Sequence, residues 1–244
     1  MLITLGIIGI VAAMTLPALI ANHRKQVILT KVKQTYNVLS NALERAKVDY
    51  DTEVNNWYVP TEGTQLEKSK FFAETYLLPY LQVSTYCKER STNPYCLITY
   101  THLKGEEYEV LGPSNSGSGV SFVLNSGVVV GVTVGAISAA NPGDPYDETI
   151  SRIKITFDID GPQGYNKKGY DVFMIELGGA DGPRIGNRAD RNKFLPYLYD
   201  ASKDCDYYVS DSNHACNNNA TYGGSMCLAY IVCNGWDFGD KYPW

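Results

Sequence analysis

Residues 1–26 read MLITLGIIGIVAAMTLPALIANHRKQ. No charged side chain precedes Arg24, and up to Ala21 only Thr4 and Thr15 carry hydroxyls, which a helix satisfies on its own backbone carbonyls. As a helix, Met1 to Ala21 is about 30 Å long, the thickness of the hydrocarbon core of a bilayer. Gly6, Gly9 and Ala13 recur three and four apart and so share one face, where small residues let a second helix backbone come close. Pro17 removes a backbone donor and loosens the bond to Ala13, which predicts a kink or local melting there.

Beyond Ala21 the helical period continues. Ile28, Val32, Tyr36, Leu39, Leu43, Ala46 and Tyr50 recur at steps of 4, 4, 3, 4, 3 and 4, an apolar stripe on an otherwise polar helix. Lys25, Lys31, Lys33, Arg45 and Lys47 read as its solvated flanks. Apart from Pro17, no Pro or Gly separates this stretch from the apolar one, so one long helix is expected, half in lipid and half under a globular body. The chain divides accordingly into an apolar segment (1–22), an amphipathic continuation (23–50) and a head (51–244).

The chain has 244 residues, a net charge of −5 and 19% charged residues, which suits a packed core and argues against nucleic acid as the main partner. Six cysteines, Cys87, Cys96, Cys205, Cys216, Cys227 and Cys233, lie in polar surroundings with no Cys-x-x-Cys pair, and the three histidines are scattered. Disulfides in an oxidising compartment are favoured over zinc. Cys87 and Cys96 enclose a short polar loop and pair naturally. Among the other four, spacing leaves the pairing open, with Cys216–Cys227 inside Cys205–Cys233 favoured.

In the head, residues 51–65 read as a loop and Leu66–Leu81 as a short helix ending near Pro79. Residues 106–111 read as a short strand. VSFVL and VVVGVTV flank Asn125-Ser126-Gly127 as a hairpin, and 136–149 is a loop. RIKITFDID alternates Ile153, Ile155, Phe157 and Ile159 with polar residues, and YDVFMIEL puts Phe173, Ile175 and Leu177 on one face, so the two form a second hairpin. The glycine-rich LGGADGPRIGNR reads as a loop, KFLPYLYD (193–200) as a turn of helix, and CLAYIVCNGWDF as a last strand.

Three readings of the opening segment compete. A cleaved signal peptide needs a basic start and a small-x-small exit, and both are missing. A plain anchor with Arg24 and Lys25 behind it would, by the positive-inside rule, leave the head in the cytoplasm, against the cysteines. The third is a family. LITLGIIGIVAAMTLPALI resembles the N-terminal helix of type IV prepilins and type II secretion pseudopilins, with Gly9, Ala12, Ala13 and Pro17 at the family's glycine, alanine pair and proline. In that family a basic leader ending in glycine precedes an aromatic or Met residue, Thr-Leu, a variable residue and a glutamate. On this alignment Met1 follows the glutamate position, so leader and glutamate are expected upstream of an internal methionine. FFAETYLLPYLQVSTYC and FDIDGPQGYNKKGYDVFMIEL also resemble segments of pilin-like heads.

The resemblance implies an α+β, pilin-like fold, a long N-terminal helix packed on an antiparallel sheet. It implies a non-enzymatic minor pilin or pseudopilin, held in the inner membrane with its head outside the cytoplasm before assembly into a filament. Its partners would be sister subunits, the assembly machinery and the lipid bilayer, with Gly6, Gly9, Ala13 and Pro17 serving helix packing. A membrane-anchored adhesin or binding ectodomain that does not polymerise is the alternative. No Gly-x-Ser-x-Gly, His-Glu-x-x-His or P-loop points to catalysis, and no cofactor is expected except calcium. Asp158, Asp160, Asn166 and Asp171 could gather oxygens for that ion, and the resemblance supports it, since major pseudopilins bind calcium in their heads. The spacing is not that of an EF-hand, and a solvated strand face with an Asp-Gly turn accounts for the same residues.

Overall fold

The computed structural model describes residues 2–51, 54, 57–60, 62–89, 91–105, 108–113, 119–135, 152–177, 192–210 and 213–244, with side-chain surroundings from residue 13 onward except at 18, 108, 109 and 152. The loops expected at 136–149 and across LGGADGPRIGNR fall almost wholly outside these residues.

The chain is α+β. A single helix of 49 residues, α1 (Leu2–Tyr50), is about 73 Å long at 1.5 Å per residue and stays helical through Pro17, without the local melting the proline predicted. Val32, Leu39, Ala42, Leu43 and Ala46 are fully buried along its second half, with Ile28 and Tyr36 packed at the margin. Each such buried Leu or Val stabilises the docked helix by roughly 1.5–3 kcal/mol. Tyr50, the last residue of the predicted stripe, stays 44% exposed. From Ala13 to Arg24 every described side chain is exposed, Met14, Leu16, Leu19 and Ile20 included. Among the described residues no helix is long and apolar enough to cross a membrane. The surroundings of residues 1–12, most of the apolar run, lie outside the described set.

The buried half of α1 lies on a six-stranded antiparallel sheet of order β1-β4-β5-β6-β7-β8. Its strands are β1 (Val83–Cys87), β4 (Val120–Leu124), β5 (Val129–Gly135), β6 (Arg152–Asp158), β7 (Val172–Leu177) and β8 (Phe194–Pro196). The alternating residues Ile153, Ile155 and Phe157 share one apolar cluster with Val130, Val132, Phe173 and Ile175 and with the α1 stripe. The opposite face carries Val123, Val129 and Val172 under a two-stranded sheet, β2 (Ile98–Thr101) with β3 (Tyr108–Leu111). Covered on both sides, β4 is buried at every position. A Cβ at Gly131 would stand 2.8 Å from Leu111 Cγ, so the glycine in VVVGVTV makes room for the second layer. The hairpins expected on either side of Asn125-Ser126-Gly127 and between β6 and β7 are both present.

The expected 66–81 helix begins as α2 (Gln65–Phe72), where Thr64 and Glu67 form a reciprocal capping box, widens to a π turn over Ala73–Leu77 and then tightens to a short 3-10 turn ending at Tyr80. Two expectations fail. KFLPYLYD does not make a helical turn: Phe194–Pro196 pair with Leu177–Ile175 as the edge strand β8. Proline is tolerated on an edge, and the Tyr36 hydroxyl donates to the Phe194 carbonyl at 2.7 Å, covering that edge from α1. CLAYIVCNGWDF is not a strand: Cys227–Cys233 form a helix, α4, after the one-turn α3 (Tyr207–Ser210). Cys227 through Ile231 are all buried, so the run carries no period by which strand and helix differ. Disulfides join Cys87 to Cys96, Cys205 to Cys233 and Cys216 to Cys227, and no cysteine is free. The last two tie both ends of α4 to the preceding loops.

Candidate functional site

The connection between β6 and β7 gathers the oxygens that the sequence suggested. β6 ends at Asp158, which is fully buried; a 3-10 turn (Gly161–Gln163) follows, and the chain returns to β7 past Asp171, only 3% exposed. Asp160 points outward. One carboxylate oxygen from each of Asp158, Asp160 and Asp171 lies within 4.8 Å of the others.

Backbone amides hold two of the three in place. Asp158 Oδ1 accepts from Gly161 N at 2.8 Å and Asp160 N at 3.2 Å. Asp171 accepts from Asn166 N at 2.7 Å through one oxygen and from Lys167 N at 2.6 Å through the other. Asn166 has φ +48, a left-handed conformation that asparagine tolerates, and this turns both amides toward the carboxylate. Gly164 is required by space: a Cβ there would stand 2.3 Å from an oxygen of Asp160 and 2.3 Å from one of Asp171.

Burial is the main cause that raises Asp158, with Asp171's charge next, and its pKa is pushed up to about 8. Burial also raises Asp171, against the opposing effect of its amide donors. The Asn166 side-chain amide lies 3.0 Å from the Gly161 carbonyl oxygen and 3.2 Å from Asp158 Oδ2. With its nitrogen facing them it donates two hydrogen bonds and closes the cluster without an ion. With its oxygen facing them, oxygens of Asp158, Gly161 and Asn166 converge beside Asp160 and Asp171. That donor set, all oxygen with several carboxylates, fits a hard divalent cation of the calcium type.

The same connection reaches α1. Tyr165 is 58% exposed, and its hydroxyl accepts from Arg24 Nη1 at 2.9 Å while the guanidinium lies 4.6 Å from the ring centroid. Tyr165 meets Tyr170 edge-on, Tyr170 meets Trp244, and Lys25 Nζ lies 4.9 Å over the Trp244 ring. Lys167 Nζ sits 4.9 Å over Tyr170, and Phe238 and Tyr242 back Trp244. These residues form a collar where α1 leaves the head. A contact 141 positions apart, as between Arg24 and Tyr165, has no local signal.

Of the residues expected to pack helices, Ala13 and Pro17 are exposed, and the surroundings of Gly6 and Gly9 lie outside the described residues. Elsewhere, a groove of about 720 Å³ runs between α1 and the β4–β5 turn. Its walls include Lys31, Asn37, Asn41, Arg45, Tyr80 and Asn125, and no carboxylate is among the described residues that line it.

Residues 18–127, from the exposed part of α1 to the β4–β5 turn, match a family of unknown function (DUF6613). No curated protein and no solved structure matches the chain.

Proposed function

We propose that the chain is a non-enzymatic structural subunit, a minor pilin or pseudopilin, whose leading helix passes from the inner membrane into the core of a filament. The observation that carries this reading is the division of α1. Its second half is buried on the sheet, while the described side chains from Ala13 to His23 are exposed, with Met14, Leu16, Leu19 and Ile20 between 55% and 76% exposed. Such apolar surface calls for lipid or other helices around it. Head-to-tail repetition without closure then yields a helical fibre. Shearing surface filaments from the native host and probing them with an antibody to the head tests this. The chain is expected in the filament fraction; confinement to the membrane fraction refutes assembly. An in-frame upstream stretch encoding a basic leader, glycine and then Phe or Met-Thr-Leu-x-Glu would support it independently.

The groove favours a second reading, a membrane-anchored ectodomain that binds a ligand and does not polymerise. Its cations and side-chain amides suit an anionic, hydroxyl-rich molecule. The two readings part on the filament fraction. Under either, the oxygen cluster between β6 and β7 is a calcium site that stiffens the connection rather than a catalytic centre. Asp158, Asp160 and Asp171 would hold the ion, with Asn166 and the Gly161 carbonyl completing its shell.

A further inference from the structure

We infer that the collar around the neck of α1 is an interfacial membrane contact. Tyr165, Tyr170 and Trp244 lie at the headgroup level of a bilayer, with Arg24 and Lys25 among the phosphates, while the subunit is held in the membrane. The inference rests on the reading that the leading half of α1 enters lipid, and it adds a surface of the head to that contact.

Three observations converge. The first is level. Arg24 is four residues past Ile20, the last large apolar side chain of the exposed segment, which places it about 6 Å further along the helix axis at 1.5 Å per residue. A headgroup layer is about 5–8 Å deep on each side of the hydrocarbon. If Ile20 lies at the edge of the hydrocarbon, the collar therefore falls within the headgroups. The second is composition. Tyr and Trp concentrate at membrane interfaces because one end of the ring system is apolar and the other polar, and Lys and Arg there reach for phosphate. The collar has both, contributed by three separate segments: α1, the β6–β7 connection and the C-terminal residues. The third is exposure. Tyr165 is 58% exposed and Trp244 38% exposed, although each is already braced by neighbouring rings on one side. A ring cluster serving only to brace α1 would have no need of these open faces.

The cations are shared between rings and solvent. Arg24 is exposed and Lys25 half-buried, so both keep donors for a headgroup while resting on Tyr165 and Trp244. Asp160, the exposed carboxylate of the β6–β7 connection, lies on the same loop, which also carries Lys167 over the Tyr170 ring.

The test uses the full chain reconstituted into vesicles of phosphatidylethanolamine and phosphatidylglycerol, in which part of the lipid carries bromine high on the acyl chains. Flotation first reports whether vesicles hold the chain. Among the three tryptophans Trp57 is buried and Trp236 half-buried, so a bromine-quenchable part of the emission should come from Trp244. Loss of emission in the wild type, absent in Trp244→Phe, is the expected result. Adding Tyr165→Trp to Trp244→Phe should restore quenching, whereas adding Tyr58→Trp, exposed beside α2 at the far end of α1, should not. A chain that floats yet shows no quenching from either collar position overturns the collar contact and leaves the anchor standing. A chain that does not float overturns the membrane reading and the collar contact with it.

Discussion

Calcium should raise the melting temperature of the purified chain, and the size of the effect follows from the site. Three carboxylates and two neutral oxygens, partly open to solvent at Asp160, resemble extracellular modules that bind calcium with Kd of about 0.1–1 mM. At 10 mM ion, binding only to the folded state stabilises by RT ln(1 + [L]/Kd), about 1.4–2.7 kcal/mol. For a chain of this size each kcal/mol moves Tm by about 2–4 °C, so the increment should fall between about 3 and 10 °C. Differential scanning calorimetry in EDTA and then in calcium reads it directly, with magnesium as the comparison ion. Asp160→Asn is the diagnostic variant. Asp160 is exposed, so its loss should leave the EDTA melting point nearly unchanged while most of the calcium increment disappears. Equal melting points in EDTA and calcium for the wild type, or a full increment in Asp160→Asn, would refute the site. Asn166 would then be donating to Gly161 and Asp158, and the cluster would be closed by hydrogen bonds alone.

Other outcomes follow from the same geometry. In EDTA, Asp158 ionises only near pH 8 in the folded head, against an ordinary value of 3.8. A carboxyl raised on folding contributes stability that is complete below its unfolded pKa and lost as pH rises through the folded one. Relative to Asp158→Asn, the ion-free wild type should therefore lose stability between about pH 4 and pH 8, and a relative gain across that window would contradict the assignment. Among the disulfides, Cys205–Cys233 spans 28 residues and Cys87–Cys96 spans 9. The chain-entropy relation gives about 3.6 and about 2.6 kcal/mol for these loops, so Cys205→Ser/Cys233→Ser should cost more in urea unfolding than Cys87→Ser/Cys96→Ser. Leu39→Ala, at a fully buried position of α1, should cost about 2–5 kcal/mol in the same assay, and a value under 1 kcal/mol would show that the helix is not docked as described.

Where one face of an element is wet and the other dry, its character could be read from residue order. The α1 stripe is of this kind and, except at Tyr50, matches its buried residues; β6 shows the alternation in its sequence although Thr156 and Asp158 on its other face are buried as well. Where burial is complete, periodicity disappears and no longer tells a strand from a helix. Cys227–Ile231, buried all round, form a helix where the apolar run suggests a strand, and the three-residue β8 is too short to show alternation. The layering of β2 and β3 over the sheet depends on Gly131 and Leu111 meeting, a pairing no local pattern announces. The oxygen cluster was half legible. Asp158, Asp160, Asn166 and Asp171 crowd one connection in the chain, but the Gly161 carbonyl and the space kept open at Gly164 belong to the folded loop alone. The collar was illegible because its parts come from three distant stretches.

The connection between β6 and β7 has two ends that touch different things. Its carboxylates converge at one, and at the other Tyr165 grips Arg24. The loop thereby braces Arg24 just beyond the stretch of α1 that the sheet already buries, and the brace is as stiff as the loop behind it. An ion that neutralised the three acids would stiffen that loop and hold Tyr165 more firmly against Arg24. In a filament of the kind proposed, the neck of each subunit would then answer to the external ion concentration.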